Sequence, residues 1–207
     1  MLKTKIAVLI SGGGTNLQAI IDFAKSGGLK SGELALVVSD KAGAYGLTRA
    51  EKASIPTLVI AADKSLEITA RKAKFEAELQ SALEAAGIEM IVLAGFMRIL
   101  SADFVSKWEN RIINVHPSLI PSFCGEGFYG LKVHEAALAY GVKVTGATVH
   151  FVNEVPDGGS IIYQKAVEIK DGDTAETLQR RVMEEAECKQ LPSACEYLAN
   201  LIIERKI

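Results

Sequence analysis

The sequence lacks a strong charge of either sign, a long hydrophobic run and a secretion signal. Its 23 Lys and Arg residues nearly balance its 25 Asp and Glu residues, which leaves a formal net charge of -2. Nucleic acids and anionic membrane surfaces attract proteins with an excess of basic residues, so neither is expected as a partner. No apolar run reaches the roughly 18 residues of a membrane-spanning helix, and no signal-peptide pattern opens the chain. These absences predict a soluble, cytoplasmic protein.

Cysteines are also few. The chain has three, Cys124, Cys188 and Cys195, with no C-x-x-C pair and no histidine at metal-ligand spacing. An odd number of widely spaced cysteines predicts reduced thiols and no metal site. The 207 residues contain no internal repeat, low-complexity tract or linker. We therefore expect a single domain over 1–207, large enough to bury about 70% of its unfolded surface.

Apolar segments of strand length alternate with helical patterns through the first half of the chain. The strand candidates include KIAVLI, ELALVVS and EMIVLA, and a segment with helical spacing follows each of them. Repeated strand-helix units predict a parallel sheet, and continuous apolar strands predict burial on both faces. In the second half, VTGATVHFV and SIIYQKAVEI predict two alternating strands joined by NEVPDGG. The predicted fold is α/β, a doubly wound, mostly parallel sheet with an antiparallel C-terminal extension.

The C-terminal part of the chain predicts two separate helices. Asp173 and Thr174 open TAETLQRRVMEEAE, and a carboxylate or hydroxyl oxygen at such a position caps a helix start. The second helix is LPSACEYLANLIIERK, with Pro192 near its start, where a proline is tolerated.

A glycine-rich turn joins the first predicted strand to the first helix. It reads SGGGTN, from Ser11 to Asn16. Glycines let backbone amides approach an anion, and the helix N-terminus adds partial positive charge, so a phosphate is the expected ligand. No Gly-Lys-Ser/Thr follows, which excludes a Walker loop. Leu17 stands where a dinucleotide fingerprint has its third glycine, but Asp40 lies where a ribose-binding acid would be. A nicotinamide-dependent dehydrogenase is therefore an alternative.

Polar residues stand at the end of the strand candidate IINVH. Asn114 and His116 are two positions apart, so both side chains point to the same face at the carboxyl edge of the sheet, where ligands collect. Asp157, in the turn VPDGG, joins them if that turn folds back. Such a trio suits acyl transfer to an amine. Asn114 and protonated His116 stabilise the oxyanion, and Asp157 takes part in the transfer of the proton that the attacking nitrogen loses. The alternative for His116 is a histidine at a strand end whose hydrogen bonds are all made within the protein. The alternative for Asp157 is a residue that only stabilises its turn.

Five segments carry a resemblance to a known family. The chain resembles the phosphoribosylglycinamide formyltransferases in ISGGGTNLQAII, VLAGFMRIL, NVHPSLIPSF, GATVHFV and PDGG, in this order. The resemblance covers nearly the whole chain and implies the formyltransferase fold. It implies transfer of a formyl group from the cosubstrate 10-formyltetrahydrofolate to the amine of 5'-phosphoribosylglycinamide in purine biosynthesis. The expected partners are these small molecules, and the expected state is a monomer or homodimer.

The resemblance also implies a role for individual residues. Asn114, His116 and Asp157 match the catalytic trio of the family, and no metal is implied. Residues 1–110 form the nucleotide-binding half and residues 111–207 the catalytic and folate-binding half. The residues implied to bind the ribonucleotide are Gly12, Gly13, Gly14, Thr15, Asn16 and Glu187. Those implied to bind the folate are Met97, Arg98, Ile99, Leu100, Val152, Asn153, Glu154, Val155, Pro156 and Asp157.

Two segments depart from the family pattern. The loop after IPSF reads CGEGFYGLKVH and keeps one histidine, His134, and Ser160 replaces the expected proline after PDGG. His150 is expected to pack or to orient a neighbour. The rival functions are another folate-dependent formyltransferase, a formyltetrahydrofolate hydrolase and a non-catalytic nucleotide-binding module.

Overall fold

Seven strands form one sheet in the computed structural model, which describes residues 2–207. Their order across the sheet is β3-β2-β1-β4-β5-β6-β7. Strands β1 to β5 pair in parallel, while β6 pairs antiparallel with β5 and β7 antiparallel with β6. The strands are β1 Thr4–Ile10, β2 Gly32–Ser39, β3 Thr57–Val59, β4 Met90–Leu93, β5 Ile112–His116, β6 Val144–Phe151 and β7 Ile161–Glu168. The predicted α/β fold with its antiparallel extension is confirmed.

Helices cover both faces of this sheet. They are α1 Thr15–Lys25, α2 Tyr45–Lys52, α3 Ile68–Ala85, α4 Ala102–Lys107, α5 Leu131–Tyr140, α6 Ala175–Val182 and α7 Cys188–Ile203. The side chains of β1 alternate between two apolar clusters: Ile6 and Val8 join α1 and α7 on one face, and Ala7 and Leu9 join α3 and α4 on the other. Each fully buried aliphatic side chain contributes roughly 1.5–3 kcal/mol. No helix within residues 2–207 has the length and apolar character needed to cross a bilayer.

Strand β6 differs from its predicted alternation. Every residue from Thr145 to His150 is buried, because β6 lies between β5 and β7 and the C-terminal helices pack against it. The outer strand β7 is exposed at most positions, as an edge strand with one free side. The buried polar side chains of Thr148 and His150 are hydrogen-bonded within the protein. This strand therefore brings polar groups into the interior beside the end of β5.

The C-terminal helices form one continuous helical run instead of two separate helices. Thr174 caps α6 as predicted, with its hydroxyl accepting from the Thr177 amide. A π-helical segment, Met183–Glu187, then joins α6 directly to α7, and Pro192 lies inside α7. The second predicted helix is present as α7, but it begins at Cys188, three residues before the predicted segment, and Pro192 is its fifth residue. Because proline lacks an N–H, one helical hydrogen bond is not made at this position.

Candidate functional site

A cavity of about 850 Å³ opens at the carboxyl ends of β4 and β5. This is the edge at which ligands bind in open α/β sheets. Asn16, which follows β1, also lines the cavity, as do parts of the loops after β4, β5 and β6. No three His, Cys, Asp or Glu side chains within residues 2–207 are grouped as metal ligands. The cavity is large enough for a cofactor-sized organic ligand.

Strand β5 places Asn114 and His116 on the cavity wall. Backbone pairing fixes this position: Asn114 lies opposite Leu93 of β4 and His150 of β6, and His116 lies opposite Thr148. Because side chains alternate along a strand, the two residues face the same side. The imidazole is 4% exposed, so water has little access to it. The sequence-based expectation that both side chains point into one site is met by this geometry.

Asp157 reaches the same wall from the loop between β6 and β7. We call residues 152–160 the Asp157 loop. The Asp157 carboxylate Oδ2 lies 3.3 Å from Nδ1 of His116 and accepts a hydrogen bond of 2.9 Å from the Gly125 amide. Burial acts to raise the pKa of Asp157, but the neighbouring His150 and His116 rings and the Gly125 amide hold the pKa below its ordinary value. The structure thus brings Asn114, His116 and an ionised Asp157 together.

His116 faces two protein acceptors. Its Nδ1 is directed at Asp157, and its Nε2 donates a 2.9 Å hydrogen bond to the Phe123 carbonyl. Burial lowers the pKa of His116, while the Asp157 charge and the Phe123 carbonyl oppose that effect. The ring satisfies both acceptors only when both nitrogens carry hydrogen. In this arrangement no imidazole N–H is free for a ligand, so a ligand oxygen has to displace the Phe123 carbonyl before His116 can donate to it, as the predicted oxyanion role requires.

His150 is a site residue for which the sequence predicted only packing or orientation. Its Nδ1 donates to the Phe151 carbonyl at 2.7 Å, so Nε2 is the ring nitrogen that faces the other site residues. That Nε2 lies 3.2 Å from Nδ2 of Asn114, whose amide donates to it. It also lies 3.6 Å from Oδ1 of Asp157. The feature that could have identified His150 is its position opposite Asn114 in the antiparallel pair of β5 and β6.

The glycine loop, residues 11–16, lies at the start of α1. Gly14 has a φ of 71° as the residue preceding the helix, and it would be strained with a side chain. Asn16 lines the cavity itself, whereas Gly12, Gly13, Gly14 and Thr15 lie beside it. The Asn16 amide donates a 2.7 Å hydrogen bond to Oε2 of Glu187. The two sequence segments predicted to bind the ribonucleotide are therefore in contact.

Glu187 is the last residue of the π-helical segment and is 4% exposed. Burial raises its pKa to about 7, although the hydrogen bond from Asn16 favours the ionised form. Segments of π-helix occur frequently at functional sites, because the extra residue turns a side chain toward a ligand. Glu187 also lines the cavity. Because its pKa is about 7, the Glu187 carboxyl group can accept or donate a hydrogen bond near neutral pH.

The buried Glu187 carboxyl gives a testable pH dependence. Its pKa is raised from 4.5 to about 7 on folding, so the buried site favours the protonated carboxyl. The free energy of unfolding is therefore highest, as far as this group is concerned, below about pH 4.5, and it falls as the pH rises through 7. We expect Glu187→Gln to be more stable than the wild type by about 3 kcal/mol at pH 8, and by under about 1 kcal/mol at pH 5. Urea unfolding at both pH values measures this. The exposed neighbour variant Glu185→Gln is the control, and an equal gain at both pH values would contradict the prediction.

Both predicted folate-binding segments line the cavity. Met97 and Ile99 are 49% and 60% exposed at its rim, and Leu100 is buried. The Met97 amide donates to the Ser11 hydroxyl at 2.9 Å, which ties this segment to the glycine loop. The rest of the predicted set on the wall is Arg98, Val152, Asn153, Glu154, Val155, Pro156 and Asp157. The two segments and the trio therefore share one enclosure.

Arg98 and Asp40 form a partly buried ion pair. Nε of Arg98 lies 3.0 Å from Oδ2 of Asp40, and its guanidinium stacks over the Phe75 ring with 4.6 Å to the ring centroid. The carboxylate that a dinucleotide site would offer to a ribose is thus occupied by an arginine. This contact weakens the dehydrogenase alternative.

The segment that departs from the family pattern, residues 124–134, lines the cavity from Gly125 to Gly130. His134, its last residue, lies in α5 and is fully buried, and neither ring nitrogen has a hydrogen-bond partner within residues 2–207. Burial lowers the pKa of His134 to about 4, so its ring is neutral at physiological pH. The sequence offered no signal for this burial, because α5 packs against the distant helix α6.

Comparison with known proteins assigns the chain to a family. The formyl transferase family pattern matches residues 4–195, and the chain belongs to this family, as its sequence predicted. A phosphoribosylglycinamide formyltransferase of Haemophilus influenzae is 40% identical over 181 residues, which make up 87% of this chain and 81% of that protein.

Two further relatives extend the comparison. The trifunctional purine biosynthetic protein adenosine-3 of Gallus gallus is 49% identical over 198 residues, and these cover 96% of this chain. The chain spans only 19% of the length of that relative. The crystal structure of glycinamide ribonucleotide transformylase 1 from Symbiobacterium toebii superposes with a TM-score of 0.85 at 43% identity. This match covers 96% of this chain and 88% of the other.

Proposed function

We propose that the protein transfers the formyl group of 10-formyltetrahydrofolate to the amine of 5'-phosphoribosylglycinamide, a step of purine biosynthesis. The observation that supports this most is one cavity that joins the trio Asn114, His116 and Asp157 to Asn16 of the glycine loop and to the segment 97–100. The names of the relatives point to the same reaction. Residues 1–110 contribute the nucleotide half and residues 111–207 the catalytic half, which act as a single unit in the cytoplasm.

The two substrates enter from different sides of the trio. The phosphate of the ribonucleotide lies on the amides of Gly12, Gly13 and Gly14 and of the adjoining Thr15 and Asn16, at the N-terminus of α1. Glu187 bonds the sugar, held in place by Asn16. The folate ring lies between residues 97–100 and 152–157, whose exposed apolar groups and backbone match a flat heterocycle.

The reaction needs no nucleophilic side chain. The amine nitrogen attacks the formyl carbon, and a tetrahedral oxyanion forms. One amide N–H of Asn114 donates to this oxygen, while the other donates to His150. The oxyanion replaces the Phe123 carbonyl as the acceptor of the His116 Nε2–H. Asp157, which is ionised, takes the proton from the attacking nitrogen and passes it to the departing folate nitrogen as the bond between that nitrogen and the formyl carbon breaks, which restores the carboxylate.

A spectrophotometric assay of 10-formyltetrahydrofolate with and without the ribonucleotide tests this function. Loss of the formyl group only in the presence of the ribonucleotide, with formation of the formylated ribonucleotide, is the expected result. Loss without the ribonucleotide would identify a hydrolase instead. No reaction of the folate, together with oxidation of a reduced nicotinamide, would support the dehydrogenase alternative.

A further inference from the structure

Helix α2 contacts the glycine loop through Gly46 and Arg49. We propose that Gly46 and Arg49 of α2 are positioning residues that aim the amides of the glycine loop at the substrate phosphate. This inference rests on the proposed function, because it concerns the same phosphate. It adds a helix and two residues to the site that neither the glycine motif nor the trio includes.

Two successive carbonyls of the glycine loop are held by α2. The Gly46 amide donates a 3.0 Å hydrogen bond to the Gly12 carbonyl. Nε of Arg49 donates a 2.8 Å hydrogen bond to the Gly13 carbonyl. Both donors come from one helix, so they fix the two carbonyls relative to each other.

The direction of a carbonyl determines the direction of the next amide. In a trans peptide group the C=O and N–H bonds lie in one plane and point in opposite directions across the C–N bond. Since the carbonyls of Gly12 and Gly13 point at α2, the N–H groups of Gly13 and Gly14 point away from it. Neither N–H has a protein acceptor within residues 2–207. Two successive unpaired amides on the side of the loop away from α2, beside a helix N-terminus, are an arrangement that binds an anion.

The approach of α2 to the loop is close. A Cβ on Gly14 would lie 2.6 Å from the Gly46 Cα, and a Cβ on Gly46 would lie 2.4 Å from the Ile10 side chain. Glycine at both positions lets the Gly46 amide reach the loop. The short motif AYGLTRA at the start of α2 therefore belongs to the phosphate site, although it begins 28 positions after the end of the loop in the sequence.

Arg49 is itself held in one orientation. Nη1 donates to the Gln18 side chain at 3.1 Å, and the guanidinium lies over the Tyr45 ring at 5.0 Å from its centroid. A planar guanidinium makes both hydrogen bonds at once, which a lysine ammonium on a flexible stem does less well. Its positive charge also lies next to the phosphate-binding amides. Arg49 thus contributes orientation and charge without touching the reacting atoms.

The variants Arg49→Met and Arg49→Lys test this role, with the exposed Arg180→Met as the matched control. We expect Arg49→Met to raise the KM for the ribonucleotide about 10- to 100-fold, as for the loss of a hydrogen bond to a charged group. The kcat and the KM for the formyl donor stay within about threefold of the wild type. Arg49→Lys recovers part of the loss because it keeps the charge. Arg180→Met behaves as the wild type.

A substrate without the phosphate separates positioning from folding. With glycinamide ribonucleoside, wild type and Arg49→Met should give equal kcat/KM, since no phosphate is present to be oriented. An equal loss on both substrates, or an unchanged KM for the ribonucleotide, would overturn the proposal. Inorganic phosphate gives a readout independent of turnover: it should raise the melting temperature of the wild type and of Arg180→Met but not of Arg49→Met. Absence of transfer by the wild type would refute the proposed function, and the phosphate experiment would still decide on Arg49.

Discussion

Replacing Asp157 with asparagine is expected to lower kcat for formyl transfer by about 10²- to 10⁴-fold, the range typical for loss of a general acid-base group. The variant keeps the size of the side chain but cannot accept a proton from the attacking amine. It also removes the negative charge that faces Nδ1 of His116 at 3.3 Å, so nothing but the Phe123 carbonyl then opposes the lowering of the His116 pKa by burial. The KM for the ribonucleotide should change little, because the glycine loop and Glu187 are untouched.

Asparagine is the right replacement at this position because of the backbone. Asp157 has a φ of 56°, a left-handed conformation that asparagine tolerates and alanine does not. The asparagine carbonyl oxygen also keeps the hydrogen bond from the Gly125 amide. Asp171→Asn, at an exposed turn position, is the matched control and should retain wild-type kcat. If Asp157→Asn kept more than half of the wild-type kcat, Asp157 would be a structural turn residue only.

The local sequence predicts those parts of the site that depend on strand geometry. Alternation along β5 places Asn114 and His116 on one side, and the carboxyl edge of a parallel sheet is where the cavity lies. The glycines before α1 predict the phosphate loop from residue type alone. These inferences need only periodicity and helix polarity, which are local properties of the chain.

The remaining parts of the site depend on contacts between distant segments. The Phe123 carbonyl that binds His116 comes from an irregular loop, and backbone groups carry no mark in the sequence. Glu187 meets Asn16 through the π-helical segment, and the one extra residue in such a turn changes the phase of every side chain after it. A regular helical pattern therefore leaves the direction of Glu187 undetermined. Arg49 reaches the glycine loop only because α2 packs against it.

The glycines after Asp157 lead to the second prediction with a large effect. The Phe151 amide donates to the Ser160 carbonyl at 2.9 Å, so the two ends of the Asp157 loop are joined by a backbone hydrogen bond. A Cβ on Gly159 would lie 1.8 Å from the Phe151 carbonyl oxygen and 2.7 Å from its carbon. Both are backbone atoms of a strand held on two sides, so no side-chain rotation relieves the overlap. The second glycine of PDGG is thus required by the close approach of two chain segments.

Gly159→Ala is therefore expected to lower the free energy of unfolding by about 3 kcal/mol or more, at the upper end of the cost of overpacking. Urea unfolding measures this, and Gly43→Ala is the control, since a Cβ there meets no atom within 4 Å. Any Gly159→Ala protein that folds has to move the Asp157 loop, and kcat should fall with it because Asp157 leaves His116. Unchanged stability together with wild-type kcat would contradict the prediction, because the loop would then accommodate the added methyl group without moving Asp157. A stable protein with low kcat would still show that the loop conformation, through this glycine, holds the carboxylate at the imidazole.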